Sequence, residues 1–312
     1  MADIIGSYDY VLETNNLSKF YKDVGACKNV NIHIKDGDIY GFVGENGAGK
    51  TTLIRLINGL SIPTSGTFSL FGIPNSDPKI VEAKKLVGAI VETVSMNKGF
   101  SCLQNMQYQN IITESYKKDE ELIAIIEKCG LKYNEIRGRK VANFSLGMRQ
   151  RLGIAMALVS DPKLIILDEP MNGLDPEGII EMRDTIINLN KEGVTFLISS
   201  HILAELDKVC NKIGIISHGE IVEEISIDEL HAKSRKQIFI ETEQGEAAAK
   251  ILVEKLDLKE IKVFKNDLSI YDDVEISAVM KVLLENNIAV NNFQTRQESI
   301  EDYYIKRIKG GN

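Results

Sequence analysis

The segment Gly44-Glu45-Asn46-Gly47-Ala48-Gly49-Lys50-Thr51-Thr52 limits what this chain can fold into more than any other stretch. It satisfies G-x-x-x-x-G-K-[ST] and lies between an apolar run, Ile39 to Val43, and a helical pattern, Leu53 to Asn58. Strand, loop and helix in that order are what a phosphate-binding P-loop requires. Gly44, Gly47 and Gly49 let backbone amides turn inward on an anion, and the helix start adds the positive end of its dipole. In this pattern Lys50 reaches the β- and γ-phosphates of a nucleoside triphosphate, and the Thr51 hydroxyl ligates Mg²⁺. Asn46, Ala48 and Thr52 complete the expected binding loop. The bland alternative, a glycine-rich turn feeding an ordinary helix, does not explain why both flanks fit.

Length and charge narrow the class. A chain of 312 residues can bury a full core as one large domain or two. A net charge of −8 argues against nucleic acid as a partner, which usually needs a basic face. No apolar run approaches the roughly 20 residues of a membrane span. The start of the chain, with Asp3 and Asp9 flanking Ile4-Ile5, does not read as a signal peptide. Cys27, Cys102, Cys129 and Cys210 are scattered, without C-x-x-C or metal-ligand spacing, and read as reduced thiols.

Residues 1 to about 225 alternate strand-like and helix-like segments, the signature of an α/β domain with a largely parallel sheet. The expected strands are Val30–Ile34, Ile39–Val43, Thr67–Phe71, Leu86–Val91, Leu164–Leu167, Thr195–Ser199 and Ile213–Ser217. Between about 77 and 161 the pattern turns mainly helical, clearest at Glu120–Cys129 and Leu146–Val159, and reads as a helical insertion. From 226 to 312 the order becomes β-α-β-β-α-β, which predicts a small α+β, ferredoxin-like domain. Its expected elements are Gln237–Thr242, Glu246–Leu256, a hairpin of Ile261–Phe264 and Leu268–Tyr271 turning at Asn266-Asp267, Glu275–Glu285 and Ile288–Gln294. An amphipathic helix from Ile300 to Ile308 closes it.

Leu164-Ile165-Ile166-Leu167-Asp168-Glu169 is an apolar strand ending in two carboxylates. It resembles a Walker B segment, with Asp168 positioning Mg²⁺ and Glu169 placed to orient or deprotonate an attacking water. Phe144-Ser145-Leu146-Gly147-Met148-Arg149-Gln150-Arg151 stands shortly before it and resembles the L-S-G-G-Q signature of ATP-binding cassette (ABC) proteins. Leu146 and Met148 depart from the commonest form, although S-x-G-M-x-Q-R occurs among exporters of that family. On residues alone, Ser145 caps a helix and Gly147 lets backbone approach an anion. In the family, that helix end meets the γ-phosphate bound by the opposite protomer.

Further motifs follow in the order the resemblance predicts. Asn172-Gly173-Leu174-Asp175 resembles the D-loop, and His201 the switch histidine that holds Glu169 and water in line. Tyr21 occupies the place of the aromatic that stacks on adenine, with Phe20 the competing candidate. The family's Gln that contacts Mg²⁺ or its water is replaced here by Glu92, with Gln104 or Gln107 as other positions for that role. Sequences with such a Glu resemble exporters that protect bacteria against lantibiotics and bacitracin-like peptides.

The resemblance covers about residues 8–225 and implies a P-loop NTPase, RecA-like core that hydrolyses ATP with Mg²⁺. It implies two chains, identical or related, sandwiching two ATPs and driving an integral-membrane permease from the cytoplasmic side of the membrane. An ABC ATPase without a transport role, or an importer subunit with a regulatory C-terminal domain, are the alternatives.

Overall fold

The computed structural model describes residues 7–233, 236–297 and 307. The chain divides into two compact units, Met1–Ile227 and Asp228–Asn312. In the first unit the strands are β1 (Leu12–Tyr21), β2 (Val24–Val30), β3 (His33–Ile34), β4 (Ile39–Val43), β5 (Ser65–Leu70), β6 (Ile73–Pro74), β7 (Val87–Ile90), β8 (Leu164–Asp168), β9 (Thr195–Ser200), β10 (Lys212–Ser217) and β11 (Glu220–Ser226). Between them run α1 (Lys50–Ile57), α2 (Ile80–Lys84), α3 (Cys102–Ile112), α4 (Asp119–Lys128), α5 (Tyr133–Ile136), α6 (Leu146–Leu158), α7 (Pro176–Lys191) and α8 (Leu203–Leu206).

Six strands form one sheet in the order β11-β10-β4-β9-β8-β7, parallel throughout except for the antiparallel edge strand β11. The sequence makes this arrangement: β4, β8 and β9 are buried at every position, as continuous apolar strands must be when both faces are covered. Their carboxyl ends lie side by side, so Val43, Asp168 and Ser200 deliver the P-loop, Glu169 and His201 to one edge. Ligands of open α/β sheets bind at that edge.

A second, antiparallel sheet of β2-β1-β5-β6, with β3 beside β1, was not expected from the sequence. Its longest strand, β1, is interrupted by the polar pair Asn15-Asn16, with Asn16 at φ +46 and the register slipping beside it. That bulge erases the period-2 pattern that announces a strand. The expected strand Val30–Ile34 divides for a related reason. Asn29 stands at φ +49 next to the end of β2, and His33–Ile34 leaves to pair with β1.

The helical stretch begins later than residue 77: α2 contributes Ile80 and Ala83 to the main core, and β7 is an edge strand of the parallel sheet. Helices α3 to α6, with a short 3-10 turn at Val141–Asn143, lie between β7 and β8.

The second unit contains β12 (Lys236–Glu241), α10 (Gly245–Leu256), β13 (Ile261–Phe264), β14 (Asp267–Ile270), α11 (Ile276–Glu285) and β15 (Asn292–Gln297), after α9 (Ile227–Lys233) that spans the division. The sheet order β13-β14-β12-β15 is antiparallel at every step, the interleaved arrangement of a ferredoxin-like fold. Ala248 and Leu252 of α10 and Val279 and Leu283 of α11 pack on Ile238, Ile240, Leu268 and Ile270. The hairpin turns at Lys265-Asn266, one residue early, because Lys265 takes the positive φ of +57 that a tight turn needs. The last strand starts at Asn292 and not Ile288, since Ile288 is drawn into the core behind α11. The helix expected from Ile300 to Ile308 falls outside the described residues apart from Arg307.

Candidate active site

The loop after β4 approaches its neighbours too closely to carry side chains at its glycines. A Cβ on Gly49 would meet the Ala26 carbonyl oxygen at 2.2 Å, and one on Gly44 the Ile216 carbonyl oxygen at 2.5 Å. Gly47 and Gly49 also hold φ of +83 and +112, which L side chains seldom adopt. Gly49 opens α1 with no side-chain cap among the described residues and no acid in the first turn. Those helix N–H groups are therefore directed at the loop and can receive an anion. Ala48 is packed at the base of the loop, and Asn46 lies exposed on its rim. Thr52 is half-buried in the first turn of α1.

Lys50 is only 5% exposed. Its Nζ donates to the Gly44 and Glu45 carbonyls at 2.6 and 3.2 Å, and stands 3.2 Å from Glu169 Oε1. Glu169 Oε2 meets His201 Nδ1 at 2.8 Å. Glu169 itself is held at φ +50, a left-handed conformation uncommon for a side chain of its size.

Thr51 Oγ1 donates to Asp168 Oδ2 at 3.0 Å. Mg²⁺ takes oxygen ligands octahedrally at about 2.0–2.1 Å, so adjacent ligands sit about 2.9 Å apart. The hydroxyl and carboxylate have the spacing of such a pair, and their chemistry suits the ion.

Ser199 ties the two acids together, and no local sequence pattern pointed to it. Its hydroxyl donates to Asp168 Oδ1 at 2.6 Å and accepts from the Glu169 amide at 3.0 Å. The one signal available was a pair of serines at the carboxyl end of a buried strand. Glu205 on α8 is a third carboxylate in this field. Burial pushes its pKa up, with the charge of His201 opposing and that of Glu169 adding. Behind the loop, burial pushes the Cys27 thiol up to about 12; its Sγ contacts the Gly49 carbonyl at 3.6 Å.

Lys50, Thr51, Asp168, Glu169 and His201 thus converge. The other expected positions stand elsewhere. Glu92 pairs with Arg55 of α1, whereas Thr51 and Asp168 bond to each other. Ser145 caps α6, accepting from the Met148 amide at 3.1 Å, and Asp175 caps α7, accepting from the Gly178 amide at 3.0 Å. Those two helix starts lie together, since a Cβ on Gly147 would contact Gly178 Cα at 3.7 Å and Leu174 Cδ2 at 3.8 Å. Tyr21 and Phe20 are nearly equally exposed, at 45% and 43%. The Tyr21 hydroxyl meets Ser61 at 3.4 Å with Lys19 Nζ 5.1 Å from the ring centre, while Phe20 folds against Gly25.

A lysine and backbone amides that can grip phosphate, a magnesium-compatible oxygen pair, and a carboxylate hydrogen-bonded to histidine form the apparatus of phosphoryl transfer to water. The chain is similar to known proteins along most of its length. A family profile described as "ABC transporter" matches residues 27–172. The chain is 38% identical over 306 residues to the bacitracin transport ATP-binding protein BcrA of Enterococcus faecalis, covering 97% of this chain and 98% of that one. It is 39% identical over 218 residues to the lantibiotic transport ATP-binding protein SrtF of Streptococcus pyogenes, covering 70% and 92%. Among solved structures, CbiO1 of Clostridium perfringens, part of the ABC transporter complex CbiONQ, superposes with a TM-score of 0.64 at 24% identity, over 80% of this chain and 97% of that one.

Proposed function

Because the chain belongs to the ABC transporter family as an ATP-hydrolysing subunit, we propose that it powers export of bacitracin- or lantibiotic-like peptides through a separate membrane permease. The observation that carries the cargo class is the end-to-end match with a bacitracin transport ATP-binding protein, which spans both units of this chain.

The site chemistry supplies the engine. Lys50 and the loop amides hold the β- and γ-phosphates. Thr51 and Asp168 would hold Mg²⁺, which would supply charge neutralisation to the phosphates. Glu169 is the general base: it receives the proton of the attacking water, and the 2.8 Å contact with His201 fixes its carboxylate. Since Lys50 pairs with Glu169 at 3.2 Å, a γ-phosphate competes for that lysine and frees Glu169 to face the water. Tyr21 stacks on adenine. Ser145, Gly147 and Asp175 of a second copy, or of a related ATPase, close the far side of the nucleotide. Such a dimer works beside the permease on the cytoplasmic face of the membrane.

The Glu169→Gln variant is expected to bind ATP while releasing phosphate at least about 100-fold more slowly, the usual contribution of a general base. Bacteria relying on that variant are expected to tolerate less bacitracin or lantibiotic than those carrying the unaltered chain, measured as minimum inhibitory concentrations. Unchanged tolerance to both peptide classes, with phosphate release abolished in vitro, would overturn the cargo reading.

A further inference from the structure

Glu92 stands just beyond the end of β7 in an unusual backbone setting. Its φ is +62, and the Thr93 amide donates to the Val91 carbonyl across it at 2.7 Å. A three-residue turn closed in that way at positive φ is the rare, strained kind of γ-turn. Such strain persists only where the surroundings over-determine it. The side-chain contact Glu92 makes there is the ion pair with Arg55, both partners about half exposed.

Arg55 lies on the same face of α1 as Thr51, four residues further on and so about 6 Å along the helix axis. Across the sheet, Ile90 of β7 pairs with Leu167 of β8, so the chain leaves β7 at Glu92 beside the level of Asp168 and Glu169. Glu92 therefore stands at the same sheet edge as Asp168, yet its charge is spent on Arg55. We propose that Arg55 is a positioning residue that holds the Glu92 carboxylate away from the metal position, releasing it when a divalent cation competes for it.

The electrostatics support the arrangement. A further free carboxylate beside Asp168 and Glu169 attracts the cation and repels the phosphate oxygens. Pairing with Arg55 removes that repulsion from the nucleotide's approach, while an exposed pair is weak enough for a divalent ion to break. The inference rests on the reading of Thr51 and Asp168 as metal ligands, and the test separates the two.

Mn²⁺ affinity is measured by electron paramagnetic resonance on the full chain saturated with a non-hydrolysable ATP analogue. The variants are Arg55→Met, which keeps the long apolar stem, Glu92→Gln, and the two combined. Arg55→Met is expected to bind Mn²⁺ about threefold more tightly, the scale of releasing an exposed ion pair. That gain is expected to vanish in the Glu92→Gln background. Equal affinity in Arg55→Met and the unaltered chain overturns the proposal. So does a gain that persists without Glu92, because Arg55 would then act only by its own charge. If Asp168→Asn leaves Mn²⁺ affinity unchanged, the metal assignment itself fails.

Discussion

At the residue scale, Ser199 carries more of the site than its chemistry suggests. One hydroxyl joins the acid assigned to Mg²⁺ with the backbone of the acid assigned to water, so its loss loosens both at once. Ser199→Ala is expected to lower kcat about 10- to 100-fold, as removal of outer-shell partners does, while the KM for ATP moves less than about twofold. Steady-state phosphate release at varied ATP and pH, normalised to the nucleotide-binding fraction, distinguishes this from a simple folding defect, which would lower the active fraction and leave the pH profile of kcat intact. Lys50, Asp168 and Glu169 could be grouped from the sequence because each lies in a short motif whose spacing is itself the geometry. Ser199 could not: its partners stand 30 and 31 positions away and are met only when β8 and β9 pair. The Arg55–Glu92 pair, 37 positions apart, is hidden for the same reason. Tyr21 and Phe20 are adjacent aromatics of nearly equal exposure, so burial does not choose between them and only the motif's place favours Tyr21.

At the scale of elements, the two sheets of the first unit are joined by a polar clasp. Glu224 of β11 accepts from the His33 amide at 2.9 Å and meets His33 Nδ1 and Lys212 Nζ at 3.1 Å each. Burial alone would raise the Glu224 pKa; the bonds from His33 and Lys212 outweigh it and leave the carboxyl below its ordinary value. The folded chain therefore holds this proton less tightly than the unfolded chain, whose pKa is about 4.3. The stabilisation is fully present above that value and is lost as pH falls through the lower folded one. Glu224→Gln is expected to lower Tm by about 2–4 °C at pH 7, and the gap is expected to close below about pH 4. A scanning calorimetry series that shows a constant gap would remove the carboxylate's charge from the account. Elements were legible in proportion to how fully one pattern governed them. The apolar runs of β4, β8 and β9 announce buried parallel strands. The bulged β1 has no such pattern, so the sheet that carries this clasp could not be read.

At the scale of the whole molecule, each unit owns a closed apolar core, one centred on Phe42, Leu53, Ile166 and Leu197, the other on Ile240, Leu252, Leu268 and Leu283. Units with their own cores can fold alone. A chain ending at residue 227 is expected to bind ATP within about threefold of the full chain's affinity, since the proposed nucleotide contacts all precede that point; calorimetric titration checks it. The parallel sheet and its P-loop were open to sequence reading because each rests on local patterning. What the second unit does for the first leaves no comparable mark, because a packed β-α-β-β-α-β core obeys the same rules in any setting. One local detail bears on how this chain can be hardened. Glu169 sits at a left-handed φ of +50, where glycine would rest at no steric cost. Stability and turnover thus pull on that codon in opposite directions. Breeding this chain for heat endurance alone is expected to press on its base, and robustness compatible with ATP hydrolysis is to be sought at other addresses in the fold.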